Sequence, residues 1–245
     1  MESSLARTLW VVNLGRQFYR PVWDFQKRLN ALRQLGQIPD TLILVEHHPV
    51  YTIGKNGSDL HVVATESFLA ERGIEVVHVD RGGDVTYHGP GQLVGYPIFN
   101  LHDHRESVSW FMRQLEEVFI RLLHNFGISA RREEGYTGVW VGDDKIVALG
   151  VRIRKWVTMH GFAFNVHTDL SFYDGIIPCG IFHKGVTSLH QLLEKAPTLD
   201  AIVPQVIQQF QTVFEFNKVQ TTRLETPETT HLFGVPLAMT EVINE

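Results

Sequence analysis

The sequence predicts an α+β protein with a mixed, largely antiparallel β-sheet flanked by helices. Strand patterns dominate the middle of the chain, and the helix patterns stand in separate blocks instead of alternating with single strands. In the second half, three consecutive strand patterns are joined by short turns, which is typical of an antiparallel meander. Together these observations favour a mixed or antiparallel sheet.

The first third of the chain begins with a strand pattern and one long helix pattern. Apolar residues in the stretch 18–35 recur at three- and four-residue spacing, the period of an amphipathic helix, and Gly36 follows as a C-terminal stop. A shorter helix pattern at 67–72 is followed by Gly73. The strands expected around these helices are 8–14, 41–46, 50–53 and 75–80, with a polar turn at 54–59.

The stretch 81–97, RGGDVTYHGPGQLVGYP, is the most distinctive part of the sequence. Five glycines and two prolines are interleaved with charged and hydrogen-bonding side chains. Glycine lets a backbone approach a ligand closely or adopt positive φ. An apolar run at 76–79 leads into the stretch and an alternating run at 92–99 leads out of it. We therefore predict two strands joined by a glycine-rich polar loop that lines a pocket; an ordinary wide turn is the alternative.

The second half carries the clearest helix pattern, 107–126, with Ser107 as its cap and Gly127 as its stop. The meander then comprises the strand patterns 137–141, 145–153 and 156–166, with turns at 143–144 and 154–155. A long irregular segment, 167–183, follows. Two more helices are predicted at 187–193, capped by Thr187, and at 199–214.

Length and composition indicate one soluble globular unit. A chain of 245 residues without a linker or repeat suits a single catalytic domain, residues 1–245, in which 1–217 form the core and 218–245 a weakly patterned tail. Hydrophobic residues make up 44% and charged residues 20%, as in soluble proteins. The net charge of −5 provides no basic surface for nucleic acid or an anionic membrane. Apolar runs are too short to span a bilayer, and the N-terminus lacks signal-peptide order, so we expect a cytoplasmic protein.

The single cysteine, Cys179, excludes an intramolecular disulfide and a cysteine-rich metal site. The adjacent Pro178 and Gly180 predict a turn, which favours an accessible thiol. A free thiol has a pKa of about 8.5, so a nucleophilic role requires a nearby base or positive charge. The candidates near the glycine-rich and cysteine-bearing segments are Lys145, Lys184, His88 and His183. Spacing alone does not show that any of them meets the thiol.

Metal and nucleotide sites are not predicted. The thirteen histidines have no recognised zinc spacing. The glycines of the 81–97 stretch do not follow the dinucleotide-binding spacing, and strand-like rather than helical sequence comes after them.

Several motifs together make the chain resemble the lipoyl(octanoyl) transferases, the octanoyl-[acyl carrier protein]:protein N-octanoyltransferases. Their order and spacing agree over residues 42–193, most of the chain. The motifs are RGGDVTYHGPGQLVGYP at 81–97, DDKIVALGVR at 143–152, HGFAFNV at 160–166, PCGI at 178–181 and GVTSL at 185–189.

The resemblance implies a fold shared with biotin and lipoate protein ligases, and the first step of endogenous protein lipoylation. An octanoyl or lipoyl group would pass from octanoyl-acyl carrier protein to the target lysine of lipoyl domains, those of 2-oxoacid dehydrogenase complexes and the glycine cleavage H protein. No cofactor, metal, nucleic acid or membrane is implied. Cys179 corresponds to the acyl-accepting cysteine and Lys145 to its general acid/base. The implied substrate-binding residues are Arg81, Gly82, Gly83, Asp84, Val85, Thr86, Tyr87, His88, Ala148, Leu149, Gly150, Gly161, Phe162 and Ala163.

Two alternatives remain at the level of sequence. One is an ATP-dependent lipoate-protein ligase, which would activate its acid as an adenylate. The other is a non-catalytic acyl- or carrier-binding module in which Cys179 is buried and inert.

Overall fold

Helices and strands occupy most of the residues that the computed structural model describes, 7–177 and 184–237. The helices are α1 (Tyr19–Gln34), α2 (Glu66–Glu71), α3 (Val108–His124), α4 (Leu189–Leu192) and α5 (Leu199–Val213). The strands are β1 (Thr8–Gln17), β2 (Asp40–His47), β3 (Val50–Ile53), β4 (Glu75–His78), β5 (Val85–His88), β6 (Gln92–Ile98), β7 (Arg131–Glu133), β8 (Tyr136–Val141), β9 (Asp144–Arg154), β10 (Val157–Asn165), β11 (Gly185–Val186), β12 (Lys218–Arg223), β13 (His231–Leu232) and β14 (Val235–Pro236).

The main sheet of the described residues has nine strands in the order β12-β1-β2-β6-β10-β9-β8-β7, with β11 also paired to β9. The five successive pairs from β2 to β7 are antiparallel. The pairs β12–β1, β1–β2 and β11–β9 are parallel. The sheet is therefore mixed and mostly antiparallel, and the prediction of a β8–β9–β10 meander is confirmed.

Helices cover both faces of this sheet. Leu42 and Leu44 of β2 belong to an apolar cluster with residues of α3 and α5. Ile43 and Val45 of the same strand belong to a second cluster with residues of α1. This division follows from the strand period of two, which sends successive side chains to opposite faces. The prediction of a sheet flanked by helices is therefore confirmed, and the structure adds that α1 lies on one face and α3 and α5 on the other.

A separate three-stranded sheet, β4-β3-β5, lies beside the main one and corrects the interpretation of the 81–97 stretch. The expected loop contains a strand, β5, which pairs antiparallel with β3. Its four residues are too short a pattern to stand out between glycines. They are held by pairing with β3 and by a third apolar cluster that includes Tyr51, Tyr87 and Ile176.

The helix boundaries follow the predicted signals with one exception. Ser107 accepts a hydrogen bond from the Trp110 N–H (3.2 Å), as expected for the cap of α3. The predicted cap of α4, Thr187, is wrong, because α4 begins after Ser188. The Thr187 N–H donates instead to the Lys145 carbonyl (3.0 Å), so Thr187 continues the pairing of β11 with β9.

The C-terminal part of the described chain adds structure where the sequence pattern indicated none. Strand β12 extends the main sheet beyond β1. The hairpin β13–β14 follows, and Leu232 and Leu237 are buried in the cluster around α1. Over residues 7–177 and 184–237, none of the helices has the length and apolar character needed to span a bilayer.

Candidate active site

A cavity of about 560 Å³ lies where the glycine-rich stretch meets β9 and β10. Its walls come from both apolar clusters. Tyr96 and Ala163 belong to the cluster around α1, whereas Leu149 and Phe162 belong to the cluster around α3 and α5. The cavity therefore contacts the apolar layers on both faces of the main sheet.

Thirteen of the fourteen substrate-binding residues implied by sequence line this cavity. They are Arg81, Gly82, Gly83, Asp84, Val85, Thr86, His88, Ala148, Leu149, Gly150, Gly161, Phe162 and Ala163. Tyr87 lies elsewhere: its ring stacks on Phe172 and meets Tyr51 and Tyr173 edge-on in the third apolar cluster. Tyr87 points to the opposite side of β5 from Thr86 and His88, whereas Val85, on the same side as Tyr87, belongs to the third cluster and also lines the cavity.

The glycine-rich loop closes onto β9 through a close backbone approach. The Gly82 N–H donates to the Val151 carbonyl (2.9 Å). Gly150 is adjacent, and a Cβ at that position would lie 3.0 Å from the Gly82 carbonyl oxygen and 3.2 Å from Cδ of Arg81. A side chain at position 150 would push the loop away, so glycine there permits this wall of the cavity.

Arg81 anchors the same loop to the three-stranded sheet. Its guanidinium donates to the Thr52 carbonyl (2.7 Å), to Thr52 Oγ1 (2.8 Å) and to the Gly82 carbonyl (3.0 Å). The residue is only 7% exposed. Hydrogen bonds from a charged donor are among the stronger ones in proteins, so Arg81 holds the glycine-rich loop against the three-stranded sheet.

A buried histidine and tyrosine pair, His47 and Tyr96, lies beside the cavity. Because a carbonyl can only accept, His47 Nδ1 donates to the Gln17 carbonyl (3.0 Å), and its Nε2 then accepts from the Tyr96 hydroxyl (2.8 Å). Burial lowers the pKa of His47 to about 4, so the ring is neutral near pH 7.

His88 is held in the cavity wall by Gln92. Gln92 Nε2 donates to Asn165 Oδ1 (2.9 Å) and to the Tyr87 carbonyl (3.1 Å), which leaves Gln92 Oε1 to accept from His88 Nδ1 (2.9 Å). Burial lowers the pKa of His88 well below its ordinary value. Its Nε2 is therefore an acceptor, 3.4 Å from Thr52 Oγ1.

Asp80, His160 and Arg152 form a polar cluster that sequence reasoning missed. Asp80 contacts His160 Nε2 and Arg152 Nη1, each at 2.7 Å. Burial alone would raise the pKa of Asp80, but the His160 hydrogen bond and the positive charge of Arg152 hold that pKa below its usual value. His160 lines the cavity with a positive φ of 57°, which is uncommon for a residue with a side chain. Its place at the start of the HGFAFNV motif was the available signal.

Tyr19 and Tyr96 also line the cavity and were missed. In the sequence, Tyr19 is one member of an amphipathic helix and Tyr96 one member of an alternating strand. Nothing local to either residue indicates that they meet at the same wall.

Lys145 lies in the cavity wall with Trp140. Its Nζ is 4.8 Å from the centre of the Trp140 ring, and the backbone of Lys145 pairs with both Trp140 and Val186. Lys184 Nζ lies 5.4 Å from the same ring and pairs with Glu133 (2.8 Å) and Asp143 (3.0 Å). The described residues thus bring Lys145, Lys184 and the glycine-rich loop to one cavity.

Cys179, Gly180 and His183 lie outside the described residues. Lys184, Gly185 and Val186, which follow them directly in the sequence, line the cavity. In the part of the chain that the structure does describe, no group of three or more histidine, aspartate or glutamate residues is arranged to hold a metal ion.

Comparison with known proteins finds one matching family model and relatives that share a single name. Residues 19–211 match the model of the lipoyl protein ligase A/B catalytic domain. An octanoyltransferase of Caldicellulosiruptor bescii is 50% identical over 206 residues, which cover 83% of this chain and 90% of the relative. An octanoyltransferase of Chloroflexus aggregans is 48% identical, with coverage of 87% and 98%.

Solved structures share the fold at low sequence identity. A lipoate-protein ligase A bound with ATP superposes with a TM-score of 0.74 at 17% identity and covers 87% of this chain and 88% of its own. A T. acidophilum protein with bound lipoic acid gives a TM-score of 0.71 at 18% identity, with 89% coverage of both chains.

Proposed function

This chain belongs to the octanoyltransferases, acyltransferases built on the lipoyl protein ligase A/B catalytic domain, and from that premise we propose how its site transfers an acyl group. The octanoyl group comes from acyl carrier protein, passes through a thioester on Cys179, and ends on a lysine amine of a lipoyl domain. Lys145 is the general acid/base. The proposed acceptors are the lipoyl domains of 2-oxoacid dehydrogenase complexes and the glycine cleavage H protein.

The observation that carries this proposal is the position of Lys145. It lies in one cavity wall together with the glycine-rich loop and with Lys184, Gly185 and Val186, which follow the cysteine-bearing segment in the sequence. A lysine at the start of an ordinary strand would be solvated. Here its side chain faces Trp140 inside a cavity, which supports a chemical role over a purely structural one.

In the first step, the Cys179 sulfur attacks the carbonyl carbon of the carrier thioester. The new carbon–sulfur bond forms, the bond to the carrier sulfur breaks, and Lys145 moves the proton from the Cys179 thiol to the departing carrier thiol. One thioester replaces another, so no ATP is required. Covalent catalysis of this kind divides a difficult transfer into two easier ones.

In the second step, the acceptor lysine amine attacks the Cys179 thioester. An amide bond forms, the Cys179 sulfur leaves, and Lys145 takes the proton lost by the amine and returns it to sulfur. Conversion of a thioester to an amide is downhill. General acid/base catalysis typically contributes about 10²–10⁴-fold to such a step.

The apolar wall suits a saturated chain. Val85, Phe162 and Ala163 are buried and line the cavity with Leu149. Each methylene moved from water to such surroundings contributes about 0.8 kcal/mol. An octanoyl chain therefore gains binding energy along this wall without needing hydrogen bonds.

We also propose that residues 1–245 act as one catalytic domain. The support is that β12, near the C-terminus of the described chain, pairs with β1 near its beginning. Both ends of the described chain thus contribute to the sheet that carries the cavity.

Intact-mass analysis after mixing with octanoyl-acyl carrier protein tests the mechanism. We expect the wild-type protein to gain one octanoyl group, Cys179→Ala to gain none and to lose transfer, and Lys145→Ala to slow transfer about 10²–10⁴-fold. Transfer by Cys179→Ala at the wild-type rate would refute the thioester intermediate. Lipoate-dependent exchange of pyrophosphate into ATP would instead identify an adenylate-forming ligase.

A further inference from the structure

The backbone of a surface turn, residues 61–64, forms hydrogen bonds with residues 175–177, which come just before Cys179 in the sequence. The Ile177 N–H donates to the His61 carbonyl (2.8 Å), and Val62 forms a bridge with Ile176. Two further N–H groups, those of Val63 and Ala64, donate to the Gly175 carbonyl (2.9 and 3.0 Å). The described chain is therefore fixed against residues 61–64 up to Ile177, two residues before Cys179 in the sequence.

The side chain of His61 reaches in another direction, to the glycine-rich loop. Its Nδ1 lies 2.7 Å from Asp84 Oδ1, and the same carboxylate oxygen accepts from the Val85 N–H (2.7 Å). Asp84 is 7% exposed and lines the cavity, whereas the His61 side chain is 35% exposed. The carboxylate accepts and the imidazole Nδ1–H donates.

The turn at residues 54–57 packs closely against the glycine-rich loop beside the contact between His61 and Asp84. A Cβ at Gly57 would lie 2.8 Å from Asp84 Oδ1, and a Cβ at Gly54 would lie 2.4 Å from the Gly83 carbonyl oxygen. The Gly54 N–H also donates to the Asp84 carbonyl (3.1 Å). The turn thus packs against Asp84, whose carboxylate contacts His61.

We propose that His61 is a positioning residue for acyl transfer. Its side chain binds the glycine-rich loop through Asp84, and its carbonyl binds Ile177 in the chain that leads to the acyl-accepting cysteine. One residue therefore sets the distance between the glycine-rich loop and Ile177. This inference rests on the function proposed for Cys179. A displacement of about 1 Å at a reacting group can reduce a rate about 10²-fold, which gives such a connection catalytic importance.

Substitutions at His61 separate this role from simple stabilisation of the turn. His61→Ala removes the donor to Asp84. His61→Asn keeps an N–H near the position of Nδ1, because the amide Nδ2 lies at the same distance along the side chain. We expect His61→Ala to lower kcat for octanoyl transfer about 10- to 100-fold with little change in KM for the carrier. His61→Asn is expected to remain within about threefold of wild type on the same reasoning.

A thiol readout and a matched control complete the experiment. The rate of Cys179 alkylation by iodoacetamide is measured for each variant and is expected to change in His61→Ala but not in His61→Asn. The control is His78→Ala, which breaks a comparable 2.8 Å contact with Asp59 between exposed side chains and should leave transfer and alkylation unchanged.

The outcomes distinguish the two proposals. Wild-type kcat and alkylation in His61→Ala, or an equal loss in His61→Asn, would overturn the positioning role while an inactive Cys179→Ala still upholds the thioester mechanism. Transfer by Cys179→Ala would overturn the mechanism itself. Thermal unfolding is recorded for every variant. If His61→Ala is unfolded, His61→Gln, which places its N–H one methylene further along, replaces it with the same expected loss.

Discussion

The ring of Phe162 occupies the space that a side chain at position 95 would need. A Cβ at Gly95 would lie 2.1 Å from Cζ and 2.2 Å from Cε1 of Phe162. The ring packs edge-on against Phe119, 4.6 Å between centroids, and also lines the cavity. Because Phe119 blocks one side and the ring lines the cavity, we expect a displaced ring to move toward the cavity.

Gly95→Ala is therefore expected to shorten the cavity as well as to strain the core. Overpacking of this kind typically costs about 1–3 kcal/mol of unfolding free energy. We expect kcat/KM to fall more for an octanoyl donor than for a butyryl donor, measured with both carrier thioesters, while urea unfolding reports stability.

The double variant Gly95→Ala/Phe162→Leu tests the cause of that effect. A smaller side chain at position 162 relieves the contact, so the double variant should recover part of the stability lost by Gly95→Ala, as expected for residues in contact. An octanoyl preference in Gly95→Ala equal to that of wild type would contradict the proposed role of the ring.

At the scale of elements, β12 completes the sheet next to β1. All six of its residues pair in register with β1, and the Trp10 indole N–H donates to Gln220 Oε1 (3.0 Å). The β13–β14 hairpin that follows buries Leu232 and Leu237. Without these residues, β1 would become an unprotected sheet edge.

Two truncated chains measure this contribution. Compared with a chain ending at Leu237, a chain ending at Asn217 is expected to lose on the order of 3 kcal/mol or more of unfolding free energy, since two buried leucines and a strand are removed. Urea unfolding gives the difference, and light scattering reports association through the exposed edge. Equal stability and equal scattering for the two chains would show that β12 is dispensable.

The elements that could be predicted from sequence are those with a strong period. Residues close together in the sequence are enough to identify the apolar stripes of α1, α3 and α5 and the turns of the β8–β9–β10 meander. In contrast, β5 has four residues between glycines, and β12 reads KVQTTR, a polar strand whose partner β1 lies some 210 residues earlier. Such strands are determined by their neighbours in space.

The candidate site shows the same limit. The glycine-rich stretch, Lys145 and the β9 and β10 segments could be identified from motifs, and they do line one cavity. The pairing of Asp80 with His160 could not, because their 2.7 Å contact joins residues 80 positions apart. Tyr19 lines the cavity from a helix whose pattern indicates only which face is apolar.

For the whole molecule, the buried histidines couple stability to pH. Burial lowers the pKa values of His47, His88 and His160, so the folded protein keeps these rings neutral where the unfolded chain takes up protons. The unfolded state therefore binds more protons below about pH 6.5. The stabilisation is present in full above that pH and is lost as the pH falls toward the lowered pKa values.

We expect the unfolding free energy to decline steeply between about pH 6.5 and pH 4, with His47 contributing on the order of 3 kcal/mol over that interval. His47→Gln should make the decline shallower, because it removes the buried imidazole. Urea unfolding at a series of pH values measures both slopes. Identical slopes for wild type and His47→Gln would show that His47 is not a source of the pH dependence.

The cavity takes its walls from the apolar layers on both sides of the main sheet, through Tyr96 and Ala163 on one side and Leu149 and Phe162 on the other. A fatty chain seated there would contact both of these apolar layers at once. Binding of the acyl chain would then stabilise α1 and α3 together. We therefore expect slower backbone amide hydrogen exchange in both helices when the acyl chain is bound. During turnover, the acyl chain of the substrate would thus pack as part of the hydrophobic core and leave it with the product.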